Sequence, residues 1–483
     1  MINTQLYRDL LIDLFNLSDE DIQDIHHTSN NDEILLFITL RPDYPVCPSC
    51  GNKHVKVKGY VNKKITHSAL TDRSCTVHYR ARRYICPLCH STYYEPNPFV
   101  FNNMKISIFT VQNVLKDLKN YHETFTSVGR RYHISPTSVA SIFDRHVNIS
   151  RKKLPAYINF DEVYAFRSVH SKYVCVLLDY EKQTPVDVLP SRRLSYLEEY
   201  FSNIPLEERK QVRGCCFDMY DTYRTIGKRY FPNALLCVDH FHVAQELHRQ
   251  LQQIRIETMK EIHRKMVRAQ KESRIEPETY KEYIKYKKKY YLLKKWNWLL
   301  MKDEEDPDYF NDDIPQKYNK VLEKNMNYLD LRDELLESSE ILKESYQIKN
   351  IVSNFYKTST YETAEKEIED VIQMLCQAKS MYIRNFGKTF IKWKKEIINS
   401  FRIVKETYKV DPGTGQVVVH GYKMNNAIIE NKNAIIKCVK KNANGFTNWD
   451  RFRNRILYVL NKEETYSLYP KEKEVIQPKP KTS

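Results

Sequence analysis

Glycine is scarce in this chain, 10 residues in 483. Together with abundant Lys, Tyr, Ile and Asn, the shortage reflects an AT-rich coding sequence more than a function. The segment Gly387-Lys388-Thr389 has the ending of a phosphate loop. Tyr382 stands where that loop needs its first glycine, which excludes it. Long apolar runs are also missing. No stretch approaches the roughly 18 residues of a membrane span, and the longest early one, Ile34 to Leu40, is strand-sized. Met1 to Leu17 mixes Asp and Arg among its apolar residues, which excludes a signal peptide. A cytoplasmic protein without membrane contact is expected. Acidic residues fall short of basic ones, 61 against 77, for a net charge of +16. Such a surplus favours a polyanionic partner, because neutralised phosphates release counterions.

The 11 cysteines are odd in number, and four form two Cys-x-x-Cys pairs. That points to metal in a reducing compartment and away from a disulfide framework. Cys47-Pro48-Ser49-Cys50-Gly51 and Cys86-Pro87-Leu88-Cys89-His90 are matching knuckles. Each sets two thiolates on a tight turn, and together they can hold one structural Zn²⁺. With four thiolates available, His54, His67, His78 and His90 are not needed as ligands. The segment between the knuckles reads as β-structure, so a zinc ribbon is expected. Arg80, Arg82 and Arg83 on its second strand are candidate DNA contacts.

Phe125 to His146 reads as helix-turn-helix. Ser127 to Tyr132 is a short helix and His133-Ile134 the turn. Ser135 caps a second helix with Pro136 at its first position. Val139, Ile142 and Phe143 form its apolar stripe. Thr137, Ser138, Ser141 and Arg145 lie opposite, where they would approach base edges, while Arg130 and Arg131 would hold phosphates.

From Tyr157 the pattern changes. Tyr157 to Asp161, Tyr173 to Asp179 and Pro185 to Leu189 read as strands, the last two a hairpin. A helix, the strand Gln211 to Phe217, a second helix and the strand Ala234 to Val238 follow. This order matches a ribonuclease-H-like sheet, in which the ends of the first and fourth strands are adjacent. Asp161 and Asp218 would then meet. Glu162, Asp179 and Asp187 read as solvated strand ends or turns. Asp239 and His242, in Asp239-His240-Phe241-His242, are an accessory pair that either joins the cluster or anchors the next helix.

The chain then reads as charged helices to about Arg402, followed by a turn at 411–415 and a strand-like segment Gln416 to His420. Within the helical pattern Met424 to Lys440, Glu430 shares a side with Asn426, Asn433 and Lys437. Three carboxylates, Asp161, Asp218 and Glu430, can hold two Mg²⁺ (or Mn²⁺), with the amides and the lysine serving DNA. The tail after Tyr466 is expected to be disordered.

The order of these parts resembles the DDE transposases of the ISL-three family of bacterial insertion sequences. The matching pieces are the two knuckles, the helix pair near Ser135, Phe160-Asp161-Glu162 and Phe217-Asp218-Met219 before Tyr223-Arg224. They continue with Val238 to His242, Asn426 to Glu430, and Gly445-Phe446 leading to Phe452-Arg453-Asn454-Arg455. The resemblance spans roughly Pro45 to Asn461. It implies that the catalytic triad falls on Asp161, Asp218 and Glu430, and that a helical insertion separates the last two. It further implies binding of terminal inverted repeats, strand cleavage and transfer to target DNA, and assembly as a dimer or higher on double-stranded DNA, in a bacterial cytoplasm at the nucleoid. A non-catalytic, domesticated DNA-binding regulator and a ribonuclease-H-like structure-specific nuclease are the rivals. The intact triad weighs against the first and the dedicated helix-turn-helix against the second.

The expected fold is multidomain, α+β and α/β. Residues 1–95 hold the zinc ribbon and 96–150 the helix-turn-helix. Residues 151–242 begin the core, 243–410 form the insertion, 411–462 return with Glu430, and 463–483 are tail.

Overall fold

The computed structural model describes residues 12, 17–43, 46–68, 72–101, 104–166, 171–311, 313–411, 413, 415–463 and 465–468. Most of the Met1 to Leu17 segment, Pro412 and Thr414 of the 411–415 turn, and the Pro478-to-Lys481 end of the tail lie outside the described residues. Strands β1 (Ile22–Ser29), β2 (Glu33–Leu40), β3 (Lys56–His67), β4 (Ser74–Ile85) and β5 (Thr92–Tyr94) form the first sheet. Its order is β1-β2-β4-β3, with β5 also against β4. Leu36, Ile38, Ile65, Val77 and Tyr79 make its small core.

Three helices follow: α1 (Ile108–Asp117), α2 (Phe125–Arg131) and α3 (Pro136–His146). Ser135 accepts from the Ser138 amide at 3.0 Å, the expected N-cap, with Pro136 at the first turn. Gly129 lets α2 meet the turn into α3. A Cβ there would lie 2.7 Å from the Ile134 carbonyl oxygen.

The central sheet has the order β10-β9-β6-β7-β8. β6 (Tyr157–Val163), β7 (Val174–Asp179) and β8 (Thr184–Leu189) pair antiparallel, whereas β9 (Gly214–Phe217) and β10 (Leu235–Val238) run parallel to β6. Helices α4 (Leu194–Ser202), α5 (Leu206–Arg209) and α6 (Asp221–Tyr230) connect them. Strand β6 runs two residues past Asp161, which pairs with Val176 and so sits inside the strand. The fourth strand begins at Gly214, three residues later than expected, because α5 and the turn after it occupy the approach. Asp179 and Asp187 are buried, not solvated. Asp187 accepts from Tyr200 Oη at 2.8 Å and from Arg453 Nε at 2.8 Å.

The segment after β10, expected as an insertion, contains α7 (His240–Glu272), α8 (Tyr280–Lys295), a small hairpin of β11 (Lys317–Asn319) and β12 (Lys324–Met326), then α9 (Tyr328–Leu336), α10 (Glu340–Thr358), α11 (Tyr361–Gln377) and α12 (Met381–Asn399). It shares one apolar core with a face of the central sheet, through Phe160, Phe217, Leu247 and Trp393 among others. Next comes a ribbon of β13 (Ile403–Val410) and β14 (Val417–Lys423), most of it exposed. Only its second strand is legible in the sequence, because neither face buries an apolar stripe that would give a period.

Helices α13 (Ala427–Asn442) and α14 (Trp449–Leu460) close the chain over the opposite face of the sheet. Val176 and Val188 of the sheet, Val128 and Phe143 of α2 and α3, and Ile436 and Ile456 of the last helices share one core. Buried Arg455 donates to the carbonyls of Leu118, Asn120 and Glu123. Packing is therefore continuous across residue 150. Among the described residues no helix is long and apolar enough to cross a membrane.

Candidate metal centres and nucleic-acid surface

The two knuckles fold into the same turn twice. The Cys47 amide donates to the Asn52 carbonyl at 2.8 Å and the Gly51 amide to the Cys47 carbonyl at 2.9 Å. The Cys86 and His90 amides repeat both bonds, at 3.0 Å each, to Ser91 and Cys86. Gly51 and His90 hold matching positive φ angles of 74° and 60°, so His90 fills a turn position usually given to glycine. The four sulfurs converge, with 3.6 Å between Cys47 and Cys89 and again between Cys50 and Cys86. A tetrahedron with Zn–S bonds of about 2.3 Å has edges of about 3.8 Å, so the set fits one zinc ion. His67 is instead buried and 2.8 Å from Ser107 Oγ.

The arginines of β4 divide. Arg82 is 2% exposed, pairs with Glu95 at 3.2 Å, and donates to Gln23 and the Leu40 carbonyl at 2.6 Å each. It is a structural cation and not the expected DNA contact. Burying a guanidinium needs a paired carboxylate and filled donors, and its neighbours supply both. Arg80 is exposed over the Tyr60 ring at 4.2 Å, and half-buried Arg83 donates to Thr92 Oγ1 at 3.1 Å. On the helix pair, Arg130, Thr137 and Ser141 are exposed, Arg145 half-exposed, and Ser138 Oγ is 2.8 Å from Ser135 Oγ. Arg131 is engaged by Asp117 and Glu123. That pairing ties α2 to α1 and takes Arg131 out of the expected phosphate-contact set.

Four carboxylates and one imidazole meet at the ends of the parallel strands. Asp161 comes from β6, Asp218 follows β9, Asp239 follows β10, His242 lies in the first turn of α7 and Glu430 in the first turn of α13. His242 Nε2 is 2.7 Å from Asp218 Oδ1, 3.5 Å from Glu430 Oε1 and 3.8 Å from Asp239 Oδ2. These are close approaches, none an aligned hydrogen bond. Ligand atoms of Asp239, His242 and Glu430 all lie within 4.8 Å of one another. Asp239, of the accessory pair expected either to join the cluster or to anchor the next helix, lies beside the cluster. It occupies the N-cap position of α7, yet its side chain caps nothing, and both oxygens are buried without a hydrogen bond.

Two asparagines hold the cluster. Asn433 Nδ2 donates to Asp161 Oδ2 at 2.6 Å. Asn426 Nδ2 reaches Asp218 Oδ1 and the Phe160 carbonyl at 3.3 Å each, while its Oδ1 accepts from Asn159 at 2.7 Å. Both are buried, so they orient carboxylates and do not face DNA as expected. Lys437 is exposed beside Glu430. Glu162 was expected in solvent. It pairs with Arg192, which stacks over Tyr173 and Tyr220 at 4.4 and 4.9 Å.

The electrostatics describe a pocket that favours positive charge. Burial, then the Asp218 charge, push the Asp161 carboxyl up to about 8. Burial raises Asp239 and Glu430 as well. Burial alone would lower His242, but the contact with Asp218 and the surrounding carboxylates outweigh it and raise the imidazole to about 9. A buried carboxylate with unfilled oxygens amid like charges is suited to divalent cations with hard oxygen preferences.

A sulfur tetrahedron at the front of the chain and clustered carboxylates at the mouth of a mixed sheet are two side-chain sets suited to metal ions, and the family matches name the class of protein that carries them, a transposase. The ISL3 model, described as transposase, matches residues 158–407. The zinc-finger model of transposases IS204, IS1001, IS1096 and IS1165 matches residues 43–89. The chain belongs to the ISL3 transposase family, and its front end is that family's zinc ribbon. No curated protein matches it. Asp161, Asp218, Asp239 and His242 fall inside the matched core; Glu430 lies beyond it and joins the others only through the fold.

Proposed function

We propose that the protein binds the terminal inverted repeats of an insertion sequence and catalyses metal-dependent cleavage and strand transfer there. One observation carries the reading: carboxylates on or just after three strands of the central sheet meet, in one pocket, a glutamate from a helix beyond the whole insertion. The sheet order, with β6, β7 and β8 antiparallel and β9 and β10 parallel to β6, supports a ribonuclease-H-like core. In this reading residues 151–242 and 411–462 make up the core, 243–410 the insertion, and 1–95 and 96–150 the modules that read element ends. The pair α2 and α3 acts as a helix-turn-helix, with Thr137, Ser141 and Arg145 toward the bases and Arg80 and Arg130 toward phosphates.

Asp161, Asp218 and Glu430 would hold two Mg²⁺ (or Mn²⁺), and buried Asp239 would add a carboxylate. Bound cations of this kind activate the attacking oxygen and stabilise the leaving one during in-line displacement at phosphorus. Asn433 and Asn426 fix the rotamers of Asp161 and Asp218, so the carboxylates need little reorganisation. His242 Nε2 lies 2.7 Å from Asp218 and 3.5 Å from Glu430, beside the ligands it would neighbour. Joining two element ends requires a dimer or larger assembly.

The test is cleavage of terminal-repeat DNA with Mg²⁺. Asp161→Ala, Asp218→Ala and Glu430→Ala each abolish cleavage while duplex binding persists. Undiminished cleavage by any of them removes that residue from the site. Matching inverted repeats in the DNA flanking the gene supply the substrate.

A further inference from the structure

The insertion contains a cavity of about 570 Å³ that the cleavage chemistry leaves unused. Rings of Tyr291, Trp296, Tyr318 and Tyr328 line it, and buried Met326 and Leu331 contribute apolar surface. Trp296 and Tyr328, both in its lining, lie 6.0 Å apart at 56°. Lys295, Lys317 and Lys320 also line it, all exposed, and none forms an ion pair among the described residues. Among the described residues no acid lines it, and Glu323 in the β11–β12 turn is taken up by Lys288 at 2.8 Å. Tyr318, the middle residue of β11, is 63% exposed, an unusual setting for a large ring.

Flat π-faces and cations without ion partners describe a ligand that is planar, aromatic and anionic nearby. A nucleobase with its phosphates has all three properties. In duplex DNA the base faces are covered by neighbours, so the occupant must be unstacked. We propose that this cavity captures one unstacked base of a DNA strand, with Lys295, Lys317 and Lys320 on the flanking phosphates. The identity of the polyanion rests on the transposase reading; the chemistry of the cavity does not.

The experiment uses the full chain and a short single-stranded oligodeoxynucleotide with one fluorescent purine analogue, beside a blunt duplex of the terminal repeat. Stacking quenches the analogue on binding. Tyr318→Ala weakens single-strand binding about tenfold, lowers the ratio of single-strand to duplex affinity, and relieves quenching. The double variant Lys317→Ala with Lys320→Ala flattens the salt dependence of single-strand binding. Ultraviolet crosslinking of the oligonucleotide marks peptides containing Trp296 or Tyr318. Single-strand affinity and quenching equal to those of the unsubstituted protein, or crosslinks only elsewhere, overturn the proposal. So does full competition by a free mononucleotide at equal concentration, which would make this a nucleotide site. If these variants behave as expected but terminal-repeat DNA is never cut, the transposase mechanism fails and the base site stands. Cleavage without base capture removes the base site and leaves the transposase mechanism in place.

Discussion

Asn433 donates its side-chain amide to Asp161 Oδ2 across 2.6 Å and 272 positions of sequence. The bond joins the last long helix pair to the first strand of the central sheet. It also fills one lone pair of a carboxylate that burial and the Asp218 charge raise to about 8, and it acts against that rise.

Asn433→Ala removes that donor and leaves every carboxylate in place. Supporting partners of metal ligands are typically worth about 10- to 100-fold in affinity or activity. Cleavage should therefore fall by about that factor, with the Mg²⁺ requirement shifted upward. A magnesium titration of cleavage rate, beside a thermal melt showing a folded variant, measures both. Unchanged magnesium dependence would disprove an orienting role.

The arginines of β4 separate stability from binding. Arg82→Ala strands Glu95 in the first sheet and should cost roughly 3–5 kcal/mol, read from denaturant unfolding. Arg80→Ala should leave the unfolding midpoint within error. It should weaken duplex binding evenly across sequences and reduce the salt slope by about 1.

Zinc removal should act on recognition before chemistry. Cys47→Ser or Cys86→Ser should release the metal, as elemental zinc content reports. The first sheet should loosen, because Cys47, Val55, Tyr84 and Cys86 form one small core around the thiols. Terminal-repeat binding should fall accordingly. A variant that lacks zinc yet binds the repeats with full affinity would exclude the ribbon from end recognition.

Acid should weaken the first sheet through His67. Burial pulls its imidazole down to about 4, below the 6.5 of an exposed histidine. As pH falls from 6.5 toward 4 the unfolded chain takes the proton first, so stability present above that window is lost within it. The loss reaches on the order of 3 kcal/mol at most. His67→Gln should flatten the pH dependence of the unfolding midpoint across this interval. An identical slope in both proteins would assign the acid sensitivity to other groups.

Much of this architecture was legible in sequence, and the reasons are local. The knuckles repeat a turn whose ligands lie three residues apart. Ser135-Pro136 announces a helix start through its own hydrogen-bonding chemistry. The strands ending near Asp161 and Asp218 are apolar runs buried on both faces. What escaped reading depends on distant partners. Nothing near Arg82 reveals that Glu95 neutralises it, and nothing near Asp187 reveals Arg453. Asn426 and Asn433 read as groups for DNA because their helical face was visible while the carboxylates meeting it were not. The insertion's cavity depends on a three-residue hairpin strand too short to leave a period.

The closing helix has a consequence for how the gene product is made. Phe452 and Ile456 of α14 lie in the core that covers Val128 and Phe143 of the helix pair, and Arg455 ties down the carbonyls before it. A ribosome that stops before Trp449 releases a chain whose helix pair lacks the part of its cover that α14 supplies, although the whole zinc ribbon has been synthesised. Prematurely terminated products should therefore be poor competitors for the element's ends. The helix pair gains its full cover only once Phe452 and Ile456 have been made.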